Sequence, residues 1–137
     1  MSWHDNHVHA MRIVAGEHGA GELALDLDYI VEWACDADGS ARFLLLQAVL
    51  TFRQVTNLRM TLDYAAPSAA LGPFSIGAIE RRFEPRERYA AQCWKIAINW
   101  PVGEITFEAD GYEQRGVGTP LQSAEQCLPA SRRAQRE

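Results

Sequence analysis

The chain has 137 residues, 47% of them hydrophobic and 23% charged, which is the size of one domain and enough to bury a core without help from a metal or disulfide. Its net charge of −5 disfavours nucleic acid as a partner, and no apolar run approaches the roughly 18 residues of a membrane-spanning helix. Three cysteines without CxxC spacing, Cys35, Cys93 and Cys127, argue against a disulfide framework or a structural zinc site and predict reduced thiols.

The opening residues 1–7 lack the positive and apolar regions of a secretory signal, so a cytoplasmic location is the expectation. Residues 7–14 read as a short, mixed strand. After a turn over residues 15–21 comes the clearest alternation in the chain: Leu23, Leu25, Leu27, Tyr29, Val31 and Trp33 on one side, and Ala24, Asp26, Asp28, Ile30 and Glu32 on the other. Pairing the two strands so that Met11 meets Leu27, Ile13 meets Leu25 and Arg12 meets Asp26 keeps apolar residues together and sets His9 beside Tyr29. Residues 43–53 are apolar on both sides, which predicts a central strand. A break at residues 54–56 precedes a further alternation, Leu58, Met60, Leu62 and Tyr64 against Arg59, Thr61 and Asp63.

Beyond a loop over residues 65–73, residues 74–83 form a strand whose alternation is clean only in its first half. Trp94, Ile96, Ile98 and Trp100 then oppose Lys95 and Asn99, and Ile105, Phe107 and Ala109 oppose Glu104, Thr106, Glu108 and Asp110. The short connections favour antiparallel neighbours. After Gly118, Thr119 as a cap, Pro120 at the first helical position and the spacing of Leu121, Ala124 and Leu128 predict a short C-terminal helix. The whole reads as an all-β antiparallel sandwich or flattened barrel of about seven strands, with one domain over residues 1–129 and a disordered tail over residues 130–137. The expected core comprises Leu25, Leu27, Tyr29, Leu58, Met60, Leu62, Ile96, Ile98, Ile105 and Phe107.

Trp3-His4-Asp5-Asn6-His7-Val8-His9, followed by the strand from Leu25 through Asp26, Leu27, Asp28, Tyr29, Ile30, Val31 and Glu32 to Trp33, resembles a group of small bacterial proteins whose activity is uncharacterised. Ala48-Val49-Leu50-Thr51-Phe52, Trp94-Lys95-Ile96, Gly103-Glu104-Ile105-Thr106-Phe107-Glu108-Ala109 and Gly111-Tyr112 fit the same group, so the resemblance covers most of residues 3–128. It implies a bacterial, stand-alone protein and brings no reaction, cofactor or binding residue with it.

Four constellations carry candidate chemistry. His7 and His9 on one strand face, with His4 near, have a spacing that can chelate a transition metal, similar to the opening of a cupin site. Asp26 or Asp28 could add an oxygen. The set departs from that pattern, however, because no glutamate follows within six residues of His9, His18 lies in a glycine-flanked turn, and the register above turns Asp26 and Asp28 to the face opposite His7 and His9. No metal or other cofactor is therefore expected. Asp26 and Asp28 sit about 7 Å apart by strand geometry, a separation that acid–base catalysis can use but that any solvated strand face also shows. Arg81, Arg82, Arg86 and Arg88, with Phe83 and Tyr89 interleaved, suit single-stranded nucleic acid, yet Glu80, Glu84 and Glu87 largely neutralise them.

The fourth is an acidic recognition face made of Asp26, Asp28, Glu32, Glu104, Glu108 and Asp110, all on polar sides of their strands. It points to an interaction protein with a basic protein partner, an immunity-type role being its sharpest form. The alternative is a small metal-dependent enzyme using the N-terminal histidines. Whether the protein is an enzyme, and in what oligomeric state it works, the residues leave open.

Overall fold

The computed structural model describes residues 2–65 and 70–134. It is nearly all β: β1 (His7–Ala15), β2 (Gly21–Cys35), β3 (Ala41–Leu62), β4 (Phe74–Pro85), β5 (Ala90–Trp100), β6 (Gly103–Glu108), β7 (Gly111–Gly116) and β8 (Leu121–Ser123), all paired antiparallel. No described helix is long and apolar enough to cross a membrane.

The strands follow one another in the order β2, β1, β4, β5, β6, β3, and β3 returns to pair with β2, so the sheet closes into a flattened ring. The seam between β1 and β4 is short, joining His7 to Ser75 and Val8 to Phe74. One long strand makes the ring possible. Residues 43–53 and 58–64, expected as two strands, belong mostly to the single 22-residue β3, which changes neighbours along its length. Its first half lies between β2 on one side and β7 and β8 on the other, as expected of a central strand, and its second half pairs with β6. At the changeover Gln54 and Asn57 take left-handed backbone angles of φ 56° and 53°, and the ladder to β6 shifts register between Thr56 and Arg59. Such irregularities bend a strand so that it can serve two sheets. The ring thus has two leaves: β1, β2, the first half of β3, β7 and β8 form one, while the second half of β3, β6, β5 and β4 form the other.

Between the leaves the alternation fills the interior with side chains. Val8, Leu23, Leu25, Leu27, Leu50, Phe52, Ile76, Ile96 and Ile105 are buried together with Trp94, Ile98 and Phe107. Phe52 is the hub of an aromatic cluster, meeting Trp94 and Phe107 edge-on at 5.1 and 4.7 Å, and Tyr112 links it to Trp3. Of the expected core, Tyr29, Leu58 and Leu62 pack against this mass while half-buried, and Met60 is 39% exposed. Val31 and Trp33 are also exposed, Trp33 at 65%, because β2 and β3 run on beyond the end of β1.

Three expectations need correction. The register of the first hairpin is different: Met11 faces Leu25, Ile13 faces Leu23 and Arg12 faces Ala24, with an extra residue in β1 between Val8 and Ala10. A slip of two residues preserves the faces, so apolar matching alone cannot distinguish the two pairings; the tight turn in which Gly16 and Ala20 bond selects one. The short C-terminal helix is replaced by β8, which pairs with the Phe43–Leu45 stretch of β3, and by a single 3-10 turn at Ala130–Arg132. The pairing satisfies edge groups of β3 that a helix would leave unbonded. Residues 130–134, assigned to a disordered tail by their composition, fold back onto the outer face of the first leaf; residues 135–137 lie outside the described residues.

Candidate functional site

With the interior packed, chemistry is left to the outer faces of the leaves. On the first leaf, the residues of β2 that alternate with the leucines form a polar cluster around Asp28. Its side chain is 0% exposed. The bulge in β1 turns His9 toward it, against the expectation that the two lie on opposite faces, and His9 Nε2 lies 2.7 Å from Asp28 Oδ2, so this nitrogen carries the proton and donates it. The Leu128 N–H donates to the same oxygen at 2.8 Å. Asp28 Oδ1 meets Arg133, whose guanidinium also reaches Asp26 and is itself only 7% exposed. Nearby, Gln47 holds the backbone of Ala134 through both ends of its amide.

Burial, reinforced by the positive charge of Arg133, lowers the pKa of His9 from 6.5 to about 4, with Asp26 pulling the other way. The imidazole is neutral at pH 7. Cys127 Sγ lies 3.5 Å from His9 Nε2, which completes a thiol, imidazole and carboxylate group whose donor atoms all fall within 4.8 Å of one another.

This trio has the composition of a nucleophilic triad but not its geometry. A base that accepts a thiol proton must do so on one ring nitrogen while the acid orients the other. Here thiol and carboxylate address the same nitrogen, which is already the donor to Asp28. Burial, and Glu125 after it, raise the Cys127 pKa, so the thiol stays protonated. As a metal site the cluster meets a second obstacle: both oxygens of Asp28 are engaged, one by two N–H donors and the other by a fixed positive charge. Among the described residues the three histidines form no common group of donors. His4 pairs with Asp5 at the surface, 3.1 Å away, and His7 is half-buried with Nδ1 unpartnered among the described residues.

The acids of the expected recognition face are dispersed. Asp26 and Asp28 are bound to Arg133 beneath the C-terminal segment, so Asp28 is core-like where a solvated face was expected. Glu32 is exposed far along β2, beside Trp33. Glu104 pairs with Lys95 at 3.5 Å, and Glu108 meets Arg86 at 3.4 Å and accepts from Asn57. Asp110 lies in the link between β6 and β7, with its carbonyl accepting from Gln92. Strand β3 separates the two acidic strands, which is why alternation alone could not show whether their charges meet.

The second leaf carries an open groove of about 800 Å³. Its floor is set by the cross-strand rows Glu80, Lys95, Thr106 and Arg59, and Arg82, Cys93 and Glu108, all opposite in alternation to the half-buried Ile79 and the buried Trp94, Ile96, Ile105 and Phe107. Five cationic side chains, Arg59, Arg81, Arg82, Arg86 and Lys95, line it against three acids, Glu80, Glu84 and Glu108. Arg86 and Arg82 hold Glu84 at 2.7 and 3.3 Å, and these arginines depress its pKa. Arg59 has no carboxylate partner among the described residues, and Arg81 lies over the Phe83 and Trp94 rings at 5.2 and 5.4 Å. Only part of this groove was visible in sequence, as the arginine stretch; Arg59 and Lys95 come from other strands and carried no signal of their own. Arg133, Gln47 and Cys127 were likewise missed as cluster members, since nothing local marks a tail arginine as buried.

No protein-family model matches the chain, and no curated protein matches it as a relative. The site must therefore be judged on its geometry.

Proposed function

We propose that this is a non-catalytic interaction protein that holds an acidic, extended segment of a protein partner in the groove on the outer face of the second leaf. The observation that carries the reading is the groove itself: a net-positive concavity on a protein of net charge −5. The reading keeps the interaction role expected from the sequence and reverses the charge of the partner, because the acids that motivated a basic partner are dispersed, and Asp26, Asp28, Glu104 and Glu108 among them are paired with arginine or lysine.

Two further features suit a peptide chain. Beyond Ile76, β4 pairs with β5 on one side only among the described residues, so a free strand edge borders the groove and can take a peptide by strand addition. The three glutamates within the groove suit a partner that also offers N–H donors, and they weaken the field that a nucleic-acid backbone would need. No nucleic acid, membrane or cofactor enters the proposal.

The test is fluorescence anisotropy with a labelled peptide of alternating glutamate and threonine, and a lysine–threonine counterpart. Binding of the glutamate peptide that weakens with salt and is lost in Arg59→Glu/Lys95→Glu is the expected result. Preference for the lysine peptide, or indifference to the double charge reversal, would refute it.

A further inference from the structure

We infer that Asp26, Asp28 and Gln47 on the first leaf form a recognition site for an arginine-bearing segment, which the chain's own residues 130–134 fill in cis. The inference stands apart from the groove, since it concerns the opposite leaf.

The site has the two parts that peptide recognition requires. One is a side-chain slot: the Arg133 guanidinium spans two carboxylates, one nitrogen on Asp26 Oδ1 and another on Asp28 Oδ1. The planar fork meets the two acids with two separate nitrogens held in a fixed geometry, whereas an ammonium must reach both from a single point, so the slot favours arginine over lysine. The other part reads backbone. Gln47 Oε1 accepts the Ala134 N–H at 2.9 Å, and Gln47 Nε2 donates to the Ala134 carbonyl at 3.2 Å, a pairing that any residue could supply. His9 and the Leu128 N–H fix the Asp28 carboxylate from the side away from Arg133, so the slot is preformed without its occupant.

The occupant itself is lightly tied. Ala130, Ser131, Arg132 and Ala134 are exposed, and no residue of the 3-10 turn is buried; the last buried anchor is Leu128. Opening residues 130–134 therefore breaks the contacts of one side chain and one amide pair, a local event rather than global unfolding. A ligand in trans must compete with a tethered segment whose effective concentration is on the order of millimolar. Intact protein will thus bind such a ligand weakly, and protein whose slot has been emptied will bind it well.

Full-length Arg133→Ala provides the test, probed with N-acetylarginine amide and with a blocked peptide of the sequence of residues 130–134. The melting temperature of the variant should rise saturably with N-acetylarginine amide at millimolar concentration, and much less with N-acetyllysine amide. The peptide should bind the variant about tenfold or more tightly than it binds wild type, as removal of a tethered competitor predicts. Adding Asp26→Asn should abolish both responses. If Arg133→Ala does not fold, Arg133→Gln replaces it with the same readouts. An equal response in wild type, or no saturable response in the variant, would overturn the inference.

Discussion

Replacing Asp28 by Asn changes one oxygen to an amide nitrogen at a fully buried position and tests the polar cluster most sharply. The carboxylate accepts from His9 Nε2 and the Leu128 N–H on one oxygen and is ion-paired with the Arg133 guanidinium through the other. Asn keeps one acceptor and turns an NH₂ group toward the other donors. The Leu128 amide, buried beside a side chain that is 1% exposed, cannot turn to water without undocking the segment. Leaving such a donor unsatisfied costs about 1–3 kcal/mol, and loss of the charge-assisted partner adds a similar amount. The expected total is about 3–5 kcal/mol, the range for breaking a buried pair. Arg133→Ala should cost less, about 1–3 kcal/mol, because the freed end of the chain can swing away and let water reach Asp28. Urea denaturation followed by tryptophan fluorescence measures both, since Trp3 and Trp94 sit in the aromatic cluster. A loss under about 1 kcal/mol for Asp28→Asn, or strict additivity with Arg133→Ala, would show that the cluster does not hold the segment in place.

Other outcomes follow from the same structure. Leu27, fully buried between the leaves, should cost about 2–5 kcal/mol on replacement by Ala, read from the same denaturation curves. His9 gives a pH signature. Its pKa is about 4 when folded and 6.5 otherwise, so between those values the unfolded chain binds the extra proton. Its contribution is fully present above pH 6.5 and is lost as pH falls toward 4, at up to about 1 kcal/mol per unit. The stability gap between wild type and His9→Gln should accordingly narrow across that window, and a gap that widened would contradict the assignment. Arg59→Glu, at an exposed groove position without a carboxylate partner among the described residues, should leave the unfolding free energy within about 0.5 kcal/mol of wild type.

How far the residues announce this arrangement depends on whether the signal is local. Trp94 to Ile98 and Ile105 to Phe107 alternate cleanly because each strand has one face inside, and burial follows that alternation; in Leu23 to Leu27 the leucines are inside, but Ala24 on the other side is buried as well. Met60 breaks the rule just after the bend at Gln54 and Asn57, where a chain that changes sheets no longer presents a continuous face. The helix expected after Gly118 rested on three apolar residues at helical spacing, and a three-residue edge strand competing for the same stretch leaves no periodicity to read. The clustering of His9 with Asp28 required a bulge, which shifts a side chain by one position and is invisible to a two-residue repeat. The groove gathers residues from β3, β4, β5 and β6; its arginine stretch lay in one of them, and the rest depended on strand order.

The proposed role of the groove is tested most directly by a backbone amide NMR titration of the full-length protein with the alternating glutamate–threonine peptide. The account predicts saturable, salt-sensitive shifts concentrated at Arg59, Arg82, Cys93, Lys95, Thr106 and Glu108 and along the free edge of β4, with the leucine-lined interior unperturbed. Shifts confined to the polar face of β2, around Asp26 to Glu32, would contradict it.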